Sequence, residues 1–292
     1  MRNVTVSAIQ MQCAPSVEEN LAAAERLVRR AAGEGARVIL LPELFERPYF
    51  CQERRYEYYA YAKPTMENDA VRRFLPISEE LSLVLPISFY ERDGNVLYNT
   101  VAVLDCGKLL GVYRKTHIPD DHYYQEKFYF TPGNTGFKVF DTRYGRVGVG
   151  ICWDQWFPET ARCLALGGAD LILYPTAIGS EPILDVDSAG HWQRVMQGHA
   201  AANVVPVAAA NRYGTEVVTP CRENGGQQSA LRFYGSSFLT DETGAITAQA
   251  GRDGDAVLTA RYDFAAIRQA RLEWGLFRDR RPGCYGAICD LG

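Results

Sequence analysis

Two short runs constrain this chain more than anything else in it. Val38-Ile-Leu-Leu-Pro42 and Leu171-Ile-Leu-Tyr-Pro175 are apolar at every position up to the proline, apart from the hydroxyl of Tyr174. Each follows a helical pattern that closes on Gly-Ala, at Gly35-Ala36 and Gly168-Ala169. A strand with apolar side chains on both faces must be covered on both faces. Strands of this kind mixed with amphipathic helices pack in layers, with helices on the outer faces of sheets. The echo between the two runs predicts one layered α/β domain with two similar halves. The length of 292 residues would by itself suggest about two domains, but nothing in the chain reads as a linker.

The remaining elements follow from periodicity. Val4 to Ile9 alternates as a strand, and Ser16-Val-Glu-Glu19 is a capping box opening an amphipathic helix. A helix is expected over 66–80, interrupted near Pro76, and then a buried strand at 83–85. A hairpin runs from Tyr98 to Leu104, turns at Asp105-Cys-Gly107 and returns from Leu109 to Tyr113. Beyond it the pattern predicts a strand over 146–151, a helix from Pro158 to about Leu166, a strand over 171–174, a helix over 187–203 and a strand over 204–210. A second hairpin spans 235–250, and a last helix covers 264–272.

Composition narrows the class. A net charge of −4 gives no electrostatic reason to bind nucleic acid or an anionic membrane. The N-terminal strand lacks the apolar core of roughly 7–15 residues that a signal peptide needs, and no apolar run reaches the ~18 residues of a membrane span. The expected location is the cytoplasm, so the 8 cysteines are read as reduced thiols. None forms a Cys-x-x-Cys pair, which argues against a zinc ribbon or a thioredoxin-like centre.

Of these thiols Cys152 has the most suggestive surroundings. In Val147-Gly-Val-Gly-Ile-Cys-Trp-Asp the face shared with Cys152 is otherwise glycine, a pattern that marks close approach of a ligand or another backbone. A thiol at a strand-to-helix turn also has backbone N–H groups nearby that can hold an oxyanion. A buried structural cysteine is an equally good reading of this segment alone. A nucleophile needs a base, usually histidine. His191 and His199 lie two helical turns apart, a poor arrangement for this; His117 or His122 leaves a Cys-His hydrolase open. A carboxylate and an amine are the other solution. Glu43 directly follows a wholly apolar strand and Pro42, where an ionised group needs a partner. Lys115, one of only five lysines, closes a hairpin strand. Glu126 sits in the aromatic run Tyr123-Tyr-Gln-Glu-Lys-Phe-Tyr-Phe130, and Lys115 is its natural partner.

Glu43, Lys115 and Cys152, in that order and in these contexts, resemble the Glu-Lys-Cys triad of the nitrilase superfamily of carbon-nitrogen hydrolases. Several stretches narrow the resemblance to the branch that acts on N-carbamoylputrescine. They are Glu43-Leu-Phe-Glu46 with Tyr49-Phe-Cys51, Tyr113-Arg-Lys-Thr-His-Ile-Pro119, and Gln125-Glu-Lys-Phe-Tyr-Phe130 with Pro132-Gly133. Ile151-Cys-Trp-Asp-Gln-Trp-Phe-Pro-Glu159, Tyr174-Pro-Thr-Ala-Ile-Gly-Ser-Glu-Pro182 and Trp274-Gly-Leu-Phe-Arg-Asp-Arg-Arg-Pro282 complete the set. The loop Asp120-Asp-His-Tyr-Tyr124 departs from the family pattern, and the 222–228 region is unusually rich in Gly and Gln.

The resemblance implies an α-β-β-α sandwich over residues 1–272, with a C-terminal segment 273–292 that helps a homodimer or larger oligomer to assemble. It implies hydrolysis of N-carbamoylputrescine with no metal or cofactor. Cys152 would be the nucleophile, Glu43 the base, and Lys115 with the Trp153 N–H the oxyanion donors; Glu126 would orient Lys115. Carbamoylases of N-carbamoyl amino acids carry Arg where this chain has Gln155 and Trp156, so an alkylammonium substrate suits it better. Glu181 is the expected amine ligand, and Tyr49 would line the pocket. Asp154 would add negative charge at the pocket end, or else cap the helix after Pro158. Another carbamoylase or ω-amidase substrate is the alternative within the superfamily.

Overall fold

A computed structural model describes residues 3–180 and 186–291. Its core is two six-stranded sheets packed face to face. The first sheet is built from β1 (Val4–Gln10), β2 (Val38–Leu40), β3 (Val84–Asp93), β4 (Val96–Asp105) and β5 (Lys108–Arg114). The second contains β6 (Val139–Thr142), β7 (Gly145–Val149), β8 (Leu171–Pro175) and β9 (Val207–Ala210). A separate hairpin, β10 (Tyr213–Val218) and β11 (Ser229–Tyr234), leads to β12 (Phe238–Thr240) and β13 (Ile246–Gln249), which complete the second sheet. β14 (Ala256–Tyr262) returns to the edge of the first.

The orders are β14-β1-β2-β3-β4-β5 and β6-β7-β8-β9-β12-β13. Both read as an antiparallel edge strand, three parallel strands and two antiparallel ones. The echo in sequence between the two Pro-ended runs is thus an echo in topology, with β2 and β8 central in their parallel triplets.

Alternation explains why these strands are apolar throughout. Val6, Ala8, Val38 and Leu40 face Leu171, Leu173, Ala208 and Ala210 across the inter-sheet layer. Ile9, Ile39 and Leu41 point the other way, onto α1 (Val17–Gly33) and α2 (Asp69–Glu80). Ile172, Val207 and Ala209 likewise face α3 (Pro158–Leu166) and α4 (Ala189–Asn203). The result is the four-layer α-β-β-α sandwich, with α5 (Phe264–Trp274) placing Phe264 and Ile267 against the inter-sheet core. No helix among the described residues is long and apolar enough to cross a membrane.

Three local expectations change. Pro76 does not interrupt α2; the helix runs through it, because Val71, Phe74 and Ile77 on both sides are buried against the first sheet, and that burial offsets one lost backbone hydrogen bond. The short strand expected at 83–85 extends to Asp93 and turns at Gly94-Asn95 into β4, a hairpin that apolar periodicity does not reveal. Finally, Gly148 and Gly150 make room for side chains of α3 and β8 rather than for a ligand. A Cβ on Gly148 would press on Leu164 and Ala169, and one on Gly150 would meet the Tyr174 ring.

Candidate active site

Ligand-binding groups in open α/β sheets gather beyond the carboxyl ends of parallel strands, and those ends carry the side chains of interest here. Glu43 follows β2. Its neighbour Leu44 has φ +48°, so the chain turns sharply as it leaves the sheet. The Leu44 N–H donates to Ser88 Oγ at 3.0 Å and the Glu43 N–H to the Thr176 carbonyl at 3.2 Å. The turn delivers a carboxylate with no exposed surface into the interior.

Lys115 follows β5 and is equally buried. Its N–H donates to the Asn99 carbonyl at 2.9 Å, and its own carbonyl accepts from Gly133 at 2.7 Å. Only glycine fits at 133, since a Cβ there would lie 2.1 Å from the Arg114 carbonyl oxygen. The Lys115 ammonium donates to Glu43 Oε1 at 2.9 Å and to Glu126 Oε2 at 2.6 Å. Glu126 is buried at the start of a short turn over 126–128, within a cluster of Tyr49, Phe50, Tyr90, Tyr129 and Phe130. Tyr49 reaches it directly, its hydroxyl donating to Glu126 Oε1 at 2.6 Å.

Cys152 lies three residues beyond the last residue of β7 and opens a short turn over 152–156. Its φ of +43° is costly for a side chain with a Cβ and gives the thiol-bearing residue the strained backbone common at reactive sites. The thiol is buried and donates to the Ala177 carbonyl beyond β8 at 3.8 Å. Burial pushes this thiol well above the ordinary cysteine range, and the Glu43 carboxylate raises it further while Lys115 pulls it down. The resting group is therefore the thiol, and its proton must be taken at the moment of reaction. Burial lowers the Lys115 ammonium, but Glu126 and Glu43 outweigh that and hold it charged. Burial raises Glu126 from its ordinary 4.5 to about 7, against the pull of Lys115.

One oxygen stands apart. Glu43 Oε1 accepts from both Lys115 and Asn99, the latter at 2.7 Å, whereas Glu43 Oε2 is buried with no hydrogen-bond partner. A buried polar atom without a partner is costly, so the arrangement favours a proton or a donor group arriving there.

The structure thus brings together Glu43, Lys115, Glu126, Cys152 and Tyr49. The Trp153 ring is at the surface, 39% exposed, and its N–H lies at the start of the turn, where helical geometry offers it no internal acceptor. Asp154 is elsewhere than expected. Its carboxylate is fully buried and accepts from Ile151 N, His117 N and the Tyr113 hydroxyl, with His117 Nδ1 at 2.7 Å. It caps the turn over 152–156 and clamps the Cys152 segment to the end of β5, which leaves it no oxygen for a substrate; nor does it cap α3, whose N-cap is Phe157. Glu181 lies outside the described residues.

The histidine alternative fails on geometry. His117 is stacked on Phe157 with centroids 3.7 Å apart and is tied to Asp154. His122 is exposed and bonded to Asp121. His199 is buried beside the Tyr174 hydroxyl, and His191 packs on Trp156.

Sequence reasoning missed Asn99 and Arg212. Arg212 is fully buried and comes just after the all-apolar strand β9, the same signal that exposed Glu43. Asn99 had no such signal, because a polar residue in an alternating strand ordinarily faces water.

Beyond Gln125 a cavity of about 580 Å³ opens, lined among others by Gln52, Arg54, Asp120, Asp121, His122 and Gln227. It joins the two segments that departed from the family pattern. Gln125 also ties it to the inner cluster, through its N–H to the Cys51 carbonyl at 2.8 Å.

A family model for carbon-nitrogen hydrolases matches residues 5–272. The chain belongs to the carbon-nitrogen hydrolase family. This hydrolase is 52% identical over 290 residues to a citrullinase of Francisella tularensis, covering 99% of each chain. It is 52% identical over 292 residues to an N-carbamoylputrescine amidase of Solanum tuberosum, covering 99% of this chain and 96% of the other. A crystal structure of a carbon-nitrogen hydrolase from Helicobacter pylori superposes with a TM-score of 0.89 at 32% identity, covering 99% of both chains. The nitrilase-superfamily resemblance read from the sequence is therefore correct for both family and fold.

Proposed function

We propose that this hydrolase converts N-carbamoylputrescine to putrescine, carbon dioxide and ammonia, a step of putrescine synthesis from arginine by way of agmatine. The observation that carries the reading is the Glu43 carboxylate. One of its oxygens is anchored by Lys115 and Asn99 and the other is buried and unpartnered, in a cluster whose field acts on the Cys152 thiol. Glu43 takes the thiol proton as sulfur attacks the ureido carbonyl carbon. The C=O electron pair moves onto oxygen, where the Lys115 ammonium and the Trp153 N–H hold it. Glu43 returns the proton to the amide nitrogen as the carbon–nitrogen bond breaks, ammonia leaves, and a carbamoyl thioester remains on Cys152. Glu43 then takes a proton from water as the water oxygen attacks the thioester. Sulfur leaves and is reprotonated, and the N-alkylcarbamate loses carbon dioxide to give putrescine. Glu126 keeps Lys115 charged and aimed throughout.

The similarity to N-carbamoylputrescine amidases supports this substrate, and Asp120 and Asp121 on the outer cavity suit its alkylammonium end. A second reading is citrulline, the same ureido group on an α-amino acid. It is favoured by Arg54 on the same wall and by the similarity to a citrullinase. Ammonia release from N-carbamoylputrescine, citrulline and N-carbamoyl-β-alanine decides between them. The first should show the highest kcat/KM, and faster turnover of either carboxylate-bearing substrate overturns the choice.

The setting is proposed as a reduced cytoplasm, supported by eight free cysteines. A homo-oligomer is proposed with it, and exposed Trp274 and Ile288 on the 273–292 segment support that assembly.

A further inference from the structure

The proposed chemistry needs Glu43 and Cys152 at a fixed spacing, yet they follow strands of two different sheets, β2 and β7. One dipeptide touches both sides. Asn211-Arg212 leaves the end of β9. Arg212 Nη2 donates to the Glu43 carbonyl at 2.8 Å and to the Leu44 carbonyl at 3.1 Å. Its Nη1 donates to the Arg47 carbonyl at 3.2 Å and to Glu216 Oε1 at 2.8 Å. These bonds grip the turn at the positive φ of Leu44, the turn that aims the Glu43 side chain.

On the other side, Asn211 Oδ1 accepts from the Ile178 N–H at 3.0 Å and its Nδ2 donates to the Ile178 carbonyl at 2.9 Å. Ile178 adjoins Ala177, whose carbonyl accepts the Cys152 thiol. Glu216 closes a ring. It accepts from the Tyr49 N–H, the Tyr49 hydroxyl holds Glu126, Glu126 holds Lys115, and Lys115 holds Glu43.

We propose that Asn211 and Arg212, steadied by Glu216, are positioning residues that set the spacing between the Glu43 carboxylate and the Cys152 thiol. The inference rests on the roles proposed above for those two groups. Arg212 acts through backbone carbonyls and touches no substrate. Burying an ion pair such as Arg212 and Glu216 is costly, and apolar packing alone could hold two sheets together. What apolar packing cannot do is reach three carbonyls and a carboxylate from one planar fork, which a guanidinium does and an ammonium does not.

The test uses the full chain and the variants Arg212→Lys and Glu216→Gln. Two readouts are followed: the rate of Cys152 alkylation by iodoacetamide against pH, scored on the Cys152 peptide by mass spectrometry, and kcat and KM for N-carbamoylputrescine. A displacement of about 1 Å in a catalytic pair can cost ~10²-fold in rate. Arg212→Lys should lower both the alkylation rate and kcat by about that factor, with KM nearly unchanged, and Glu216→Gln should fall between it and wild type. Wild-type alkylation and kcat in folded variants, or a rise in KM alone, would overturn the proposal. If Arg212→Lys does not fold, Glu216→Gln decides by the same criteria. Alkylation needs no natural substrate, so an error in the proposed substrate would leave this readout standing.

Discussion

The buried inner end of the cluster and the outer cavity are built on opposite principles. At the inner end Glu43, Lys115 and Glu126 have no exposed surface, and each is held by short bonds to a neighbour that is itself fixed. At the outer cavity Asp121 and His122 are bonded to each other with side chains 73% exposed, and Asp120 stands 3.9 Å from Arg54. Charges at the inner end act through a low dielectric, whereas those at the outer cavity are screened by solvent. The difference teaches a division of labour. On the proposed reading the buried cluster breaks the bond and the outer cavity holds what is attached to it.

That division can be broken most forcefully at Lys115. Lys115→Met removes an oxyanion donor, which typically costs ~10²–10³ in rate, and it leaves two carboxylates buried without their cation. Breaking a buried pair in this way costs about 3–5 kcal/mol. Turnover and chemical denaturation measured together should both move by these amounts. A Met variant of unchanged stability would show that the inner cluster is less tightly coupled than its geometry requires.

Glu126 sharpens the comparison through pH. Its folded value near 7 lies above its ordinary 4.5, so between those two the native state binds more protons than the unfolded chain. This group's stabilisation is fully present below 4.5 and is lost as pH rises through 7. Activity needs the carboxylate and so should rise through the same range, falling about tenfold per unit below pH 7. A pH profile of kcat/KM alongside stability should show the two trends opposed, and Glu126→Gln should flatten both. Parallel trends would contradict the assignment.

The smallest effect belongs to the outer cavity. Exposed charge pairs are worth roughly 0.2–1 kcal/mol, so Asp121→Asn should raise KM for a cationic substrate by no more than about fivefold and leave kcat unchanged. A loss of kcat there would erase the distinction between the two ends.

The parts legible in sequence were those where a charged or reactive group interrupts an apolar pattern. Glu43 after 38–41, Glu126 among aromatics and the two Pro-ended strands all announced themselves. Arg212 after Val204 to Ala210 carried the same sign, but it passed as one basic residue among many. Strands β10 and β14 were not legible, because their exposed or half-buried alternation differs little from that of a loop. Asn99 and Asp154 acquire their meaning only from partners 56 and 37 residues away, Glu43 and His117. No local pattern records such contacts.

The most direct test of the account measures ammonia and putrescine together from N-carbamoylputrescine, for the wild type and for Cys152→Ala. Equal amounts of the two products from the wild type, and neither from a folded alanine variant, is the predicted result. Turnover that survives in Cys152→Ala would contradict it.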